Sequence, residues 1–238
     1  MKRVLDVFAL HVSRRSTTWL MPLWLSLGVV AVMVVITFAM RLAGVDTLDP
    51  EIADGLRNSQ GILWTLIGFL IALGVQSSVA CFAFALALGT TRRQYVIGTG
   101  LYFLLQTAYL SVLLSLLLVL EKATNHWFMG AHTLDVWALG AGDWGHFLTV
   151  VPSGVLASLA LGALAGASWL RFGNRGPMII CGAFVVLVLA GILLVMPRLE
   201  AFLGWFSVLW AGVALTVLAA VSLAGAWSFL SRASVRNA

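Results

Sequence analysis

Charged residues are scarce in this chain. Asp, Glu, Lys and Arg make up 10% of its 238 residues, where a soluble domain carries about 25%. Lysine is almost missing: only Lys2 and Lys122 are present, and neither follows a glycine. The sequence therefore has no GxxxxGK[ST] phosphate loop and is not a P-loop ATPase by itself. HExxH and CxxC are absent as well. Cysteine occurs twice, as Cys81 and Cys181, each inside an apolar run. That excludes a disulfide framework or a zinc-finger pattern and reads as two buried small apolar residues. Acid is missing from most of the basic segments, where Asp6 stands alone. This disfavours a metal-dependent lipid transferase working on that side. No histidine falls inside an apolar run, so neither Ser153 nor Ser158 has a base to make it a protease nucleophile.

Apolar residues fill the space that charge leaves. They account for 61% of the chain, and the mean hydropathy is +1.03. This excludes a soluble globular domain and a disordered one. Six charge-free runs occupy 19–40, 61–88, 96–120, 147–170, 177–196 and 202–230. Each is long enough to cross about 30 Å of hydrocarbon as a helix. Lipid offers the backbone no hydrogen-bond partner, so helix is the expected form, and no period-two alternation suggests a barrel. The expected fold is all-α: a polytopic membrane protein of six transmembrane helices with a short N-terminal amphipathic helix. The domains are 1–18 (amphipathic helix), 19–231 (membrane domain) and 232–238 (tail). The first run begins only at Trp19 and ends without a small-x-small site, so no cleavable signal peptide is expected.

The charges that exist are sorted by side. Lys2, Arg3, Arg14, Arg15, Arg92, Arg93, Arg171, Arg175, Arg232 and Arg236 fall on one side. Arg41, Arg57, Lys122 and Arg198 fall on the other, among eight of the nine acids. By the positive-inside rule both termini are cytoplasmic, as in a multi-pass protein of the cell membrane. The net charge of +5 is then loop charge and does not point to a nucleic-acid partner. With no charge inside a span, the chain lacks the mid-membrane groups of a proton pump or ion-coupled carrier. Any driving energy has to come from another subunit.

Local patterns add detail. Val4, Phe8 and Val12 recur at helical spacing beside Lys2, Arg3, Asp6, Arg14 and Arg15, which predicts an amphipathic helix on the cytoplasmic leaflet. Asp49-Pro50-Glu51 predicts the start of a short outer helix. Thr107, Ser111 and Ser115 form a polar stripe, and Gln76, Ser77 and Ser78 a polar patch, both read as helix packing. Gly154, Ser158, Gly162 and Gly166 form a small-xxx-small ladder, for packing within the chain or against a second copy. The longest outer loop, 121–146, holds His126, His132 and His146. Their spacings match no metal motif, so no metal ligand is expected. Its tryptophans place it along the outer leaflet or over the bundle as a cap.

Between the second and third spans lies Ala87-Leu88-Gly89-Thr90-Thr91-Arg92-Arg93-Gln94-Tyr95. Thr90 or Thr91 is placed to cap a short helix, and Arg92 and Arg93 sit in its first turn against the helix dipole. This stretch, with the six spans and basic amphipathic N-terminus, resembles the permease subunits of ABC-2 type ABC transporters. The family's order there is aliphatic, Gly, hydroxyl, paired basic residues, aromatic. The resemblance implies that Thr90, Thr91, Arg92, Arg93, Gln94 and Tyr95 dock into an ABC ATP-binding subunit. It also implies pairing with a second permease copy or a homologous permease. ATP and Mg would be bound by the partner subunit, with no cofactor on this chain. The transported compound is then a drug, peptide or lipid-like molecule moved outward. The large loop follows span three here rather than span five, unlike many ABC-2 exporters, and the small six-span resistance permeases match better in size. A non-transport scaffold of a membrane complex is the alternative.

Overall fold

The computed structural model describes residues 2–198 and 207–232. The sixth span's first residues, the end of the turn before it with Glu200, and Arg236 in the tail lie outside them. The described residues are helical, with no strand. Six helical stretches are long and apolar enough to cross a membrane: Ser16–Leu42, Pro50–Ala87, Arg92–Ala123, Trp144–Phe172, Arg175–Val195 and Val208–Arg232. The chain is a multi-pass, all-α membrane protein.

We label the α-helices α1 (Lys2–Val12), α2 (Met21–Leu42), α3 (Pro50–Arg57), α4 (Gly61–Gln76), α5 (Phe82–Ala87), α6 (Arg92–Ala123), α7 (Trp144–Phe172), α8 (Arg175–Val195) and α9 (Val208–Arg232). The bundle is built on α7. It packs α4 on one side and α9 along most of its length, while α6 supports α1. Two π-helical turns interrupt the spans, at Ser16–Leu20 before α2 and at Ser77–Cys81 between α4 and α5. A π turn leaves carbonyls without their usual i+4 partner. Side chains of α6 take up several of these groups.

Around the first π turn, Gln106 Nε2 donates to Thr18 O at 3.2 Å and Tyr109 OH to Trp19 O at 2.8 Å. Thr99 Oγ1 lies 3.2 Å from His11 Nε2, and Tyr102 stacks on the His11 ring at 4.7 Å. Thr99, Tyr102, Gln106 and Tyr109 are spaced 3, 4, 3 and so share one face of α6. That face, rather than Thr107, Ser111 and Ser115, carries the long-range polar contacts. Thr107 bonds its own helix at Phe103 O, as the packing reading expected.

The amphipathic helix differs from expectation in where it lies. Val7 and His11 are the buried residues of α1, with Phe8 and Val12 packed beside them. Their partner is α6, where a Cβ on Gly98 would come within 2.8 Å of Val4 O and Val7 Cβ. The helix is docked on protein and not only on a leaflet. Its outward side keeps Leu5 exposed.

The glycine ladder finds its partner within the chain. Any Cβ on Gly162 would strike Ile71 O, and one on Gly74 would strike Leu159 O. A Cβ on Gly166 would come within 2.8 Å of Val75 O and 2.9 Å of Ser78 Cβ. Ser78 Oγ then donates to Ala163 O at 2.9 Å across the crossing. The backbones of α4 and α7 are in direct contact, which only glycine permits. Gly154 stands apart, with open space where a Cβ would go.

Helix α8 is apolar all round and exposed almost everywhere. It meets α7 only near its start, where Gly176 fits against Ser168 O. Cys181 sits on this exposed surface; only Cys81 is buried. A helix with no polar face and no buried stripe suits a lipid environment.

Candidate functional site

The basic end holds the predicted docking segment. Gly89, at φ +79°, ends the second span in the left-handed region. Thr91 is the N-cap of α6 itself, so the segment is the first turn of a 32-residue helix and no separate short helix forms. The cap is a capping box: Gln94 N donates to Thr91 Oγ1 at 3.3 Å, and Thr91 N to Gln94 Oε1 at 3.1 Å. Thr90 is buried, its hydroxyl on Ala85 O.

The two arginines divide their work. Arg92 Nη1 donates to Leu230 O at 3.2 Å and to Ser231 O. It caps the negative end of α9, which explains a cation at an α6 N-terminus. Arg93 is exposed. Tyr95 is not a surface residue: it is 1% exposed, and its OH donates to Ser77 O in the second π turn. Of the predicted docking residues, Thr91 and Arg93 face outward, Arg92 and Gln94 are half-buried, and Thr90 and Tyr95 are inside. Arg3 Nη1 donates to Leu88 O at 3.0 Å, joining α1 to the same elbow. One short segment thus touches α1, the second π turn and the end of α9.

Between α4, α6, α7 and α9 lies an apolar cleft of about 260 Å³. Leu66, Leu70, Leu114, Val151 and Leu215 form walls, and Leu134 and Leu139 close it towards the acidic end. Gly154 and Ser158 open onto it, and the Ser158 hydroxyl is spent on Gly154 O at 2.8 Å. The cleft can hold an alkyl chain or apolar ring and offers almost nothing to a polar group.

The acidic end is capped by the loop after α6. Residues 131–136 are all buried, so the loop covers the bundle rather than lying flat. Glu121, 0% exposed in the last turn of α6, organises it. Its carboxylate accepts N–H bonds from Thr133, Leu134 and Asp135 at 3.0, 2.8 and 3.2 Å. Arg57 of α3 reaches Asp135 Oδ2 at 3.3 Å, and Thr47 Oγ1 donates to Met129 O at 2.7 Å. The two loops at the acidic end are therefore tied together.

Within this cap the His126 and His132 rings lie against each other at a tilt of 39°, centroids 4.0 Å apart. His126 Nδ1 is 3.6 Å from Glu121 Oε1 and its Nε2 3.7 Å from Asp135 Oδ2, while His132 Nδ1 is 3.3 Å from the same Asp135 oxygen. Burial, and next the neighbouring His132, hold the His126 pKa below the usual histidine value. The His132 imidazole, followed by the Arg57 guanidinium, holds Asp135 below the usual carboxylate value against the opposing effect of burial. His146 lies elsewhere, against Gly140. Spacing along the chain gave no sign of this cluster, because a left-handed turn at Asn125–Phe128 folds His126 back over the helix end. A carboxylate in the last turn of an apolar span was the available signal.

The run Gly140-Ala141-Gly142-Asp143-Trp144-Gly145 satisfies the spacing GxGxxG. It enters α7 from a loop and not from a strand, with Asp143 as N-cap, so the dinucleotide-binding context is missing.

Comparison with protein-family models, curated proteins and solved structures finds no match. The fold and its sites define a six-span helical membrane protein, and function is argued from their geometry.

Proposed function

We propose that this chain is the permease subunit of an ATP-driven transporter of the ABC-2 type, with both termini and the basic end in the cytoplasm. The observation that carries the reading is the elbow at 88–95. It presents Arg93 and Thr91 outward while its other residues grip three parts of the bundle: Arg92 the end of α9, Tyr95 the second π turn, Leu88 O the α1 residue Arg3. A force applied there by an ATPase closing beneath is passed to α4, α6 and α9 at once. These helices line the apolar cleft, so the push alters its width. An element whose two arrangements are biased by a partner is what coupling requires. ATP and Mg belong to the partner subunit. A second copy or a homologous permease completes the pathway. The cleft's lining favours a substrate with an apolar chain or ring over a hydrophilic peptide.

The test is capture of the tagged full chain in mild detergent, with identification of what accompanies it. A P-loop ATPase is expected with the wild type and is lost with Arg93→Glu, whereas Arg92→Lys, which keeps the α9 cap, retains it. If no ATPase is captured even after crosslinking in intact membranes, transport gives way to the scaffold reading.

A further inference from the structure

We propose that the outer cap is a metal site, holding one zinc-class divalent ion between His126, His132 and the carboxylates of Glu121 and Asp135. The geometry comes first. Ligand atoms of Glu121, His126 and His132 all lie within 4.8 Å of one another. Tetrahedral zinc with bonds of about 2.0–2.2 Å separates its ligands by about 3.3–3.6 Å. Small rotamer adjustments are enough to close the set.

Unpaired polar atoms supply a second and independent argument. His126 Nδ1, His132 Nδ1 and Asp135 Oδ1 are buried and make no hydrogen bond. His132 and Asp135 are each 3% exposed. Buried polar atoms are nearly always partnered, and three orphans in one small cluster need an explanation. A cation bound in the cluster supplies the missing partner for the imidazole nitrogens. Glu121 is not exhausted by its three amide donors, because one lone pair on Oε2 remains.

Charge and backbone agree. Two carboxylates, from Glu121 and Asp135, lie in the cluster, and the Arg57 guanidinium pairs with Asp135. Asn125, His126, Trp127 and Phe128 hold φ of 51°, 57°, 59° and 62° in succession. Left-handed backbone is unfavourable for non-glycine residues, and this turn is what aims His126 inward. Two imidazoles with carboxylate select zinc and its late first-row neighbours over calcium or magnesium. The ion would also pin the cleft's lid, since Leu134 lies between His132 and Asp135 and lines the cavity.

The experiment uses the full chain in detergent, stripped with a chelator, desalted, and then loaded with zinc. Bound metal is read by elemental analysis, and stability by melting with and without zinc. Cobalt in place of zinc reports coordination by its visible absorption. The wild type is expected to keep one zinc per chain through desalting, to melt higher with it, and to give an intense tetrahedral cobalt spectrum. His126→Ala with His132→Ala loses the ion, and His146→Ala in the same loop keeps it. Asp135→Asn, which preserves shape, weakens zinc binding measurably. The proposal is overturned if the wild type retains no zinc and shows no melting shift. It is equally overturned if the double alanine variant binds as the wild type does. Should that double variant fail to fold, the wild-type stoichiometry and the cobalt spectrum decide.

Discussion

Tyr95 shows how a single side chain can link two elements. In sequence it is the aromatic that closes a basic motif, and it looks like a contact for a partner. In the fold its ring is buried against Phe82, edge to face at 5.2 Å, and its hydroxyl serves a carbonyl that a π turn has released. Tyr95→Phe keeps the ring and removes a buried hydrogen bond to Ser77 O. Such a bond contributes about 0.5–1.5 kcal/mol. Thermal melting of the variant in detergent should fall accordingly, and Arg93→Glu, at an exposed site, should melt as the wild type. Equal melting of Tyr95→Phe and wild type would remove the proposed link between the elbow and the π turn.

At the scale of elements, α1 depends on a histidine that must stay neutral. His11 is packed between Thr99, Tyr95 and Tyr102 of α6, with Arg14 the nearby cation. Burial, with Arg14 adding to it, lowers its pKa from 6.5 to about 4. The undocked helix takes up a proton below 6.5, whereas the docked one resists until about 4. Docking is therefore strongest above pH 6.5 and weakens as pH falls from 6.5 towards 4. The limiting loss is roughly 3 kcal/mol. Proteolytic nicking around Arg14 and Arg15 should rise over that window, and His11→Gln should flatten the dependence. A flat profile in the wild type would mean that His11 is not held as described. The expected stripe of Val4, Phe8 and Val12 identified the right helix. It missed the deeper Val7–His11 row, because a histidine counts as polar until tertiary contacts give it a partner.

The whole bundle turns on one crossing. Gly74, Gly162 and Gly166 let α4 and α7 touch backbone to backbone, and α9 is laid along the other side of α7. Gly162→Leu has no room and forces the helices apart. Overpacking of this kind costs about 1–3 kcal/mol, occasionally more. Gly154→Ala, where the space is open, should change melting little. If both variants melt alike, the crossing is not where the structure puts it. The same crossing borders the apolar cleft, so Gly162→Leu is also expected to alter whatever the cleft admits.

Much of this was legible without coordinates. Charge-free runs of about 20 residues leave the backbone no choice but helix in lipid, and the sorting of arginines distinguished the two ends before any contact was known. Caps such as Asp49 and Thr91 are local chemistry and were read from neighbours in the chain. The partner of the glycine ladder was open, because a smooth helix face fits any other smooth face, and only the packing chose α4. The roles of Arg92 and Tyr95 depended on carbonyls at Leu230, Ser231 and Ser77, which are far along the chain or released by an irregular turn. The cluster of Glu121, His126, His132 and Asp135 was hidden for the same reason. Composition and periodicity determine which segments enter the membrane; which side chains meet across it is decided by close approach in three dimensions, where a left-handed turn or a missing Cβ counts for more than spacing.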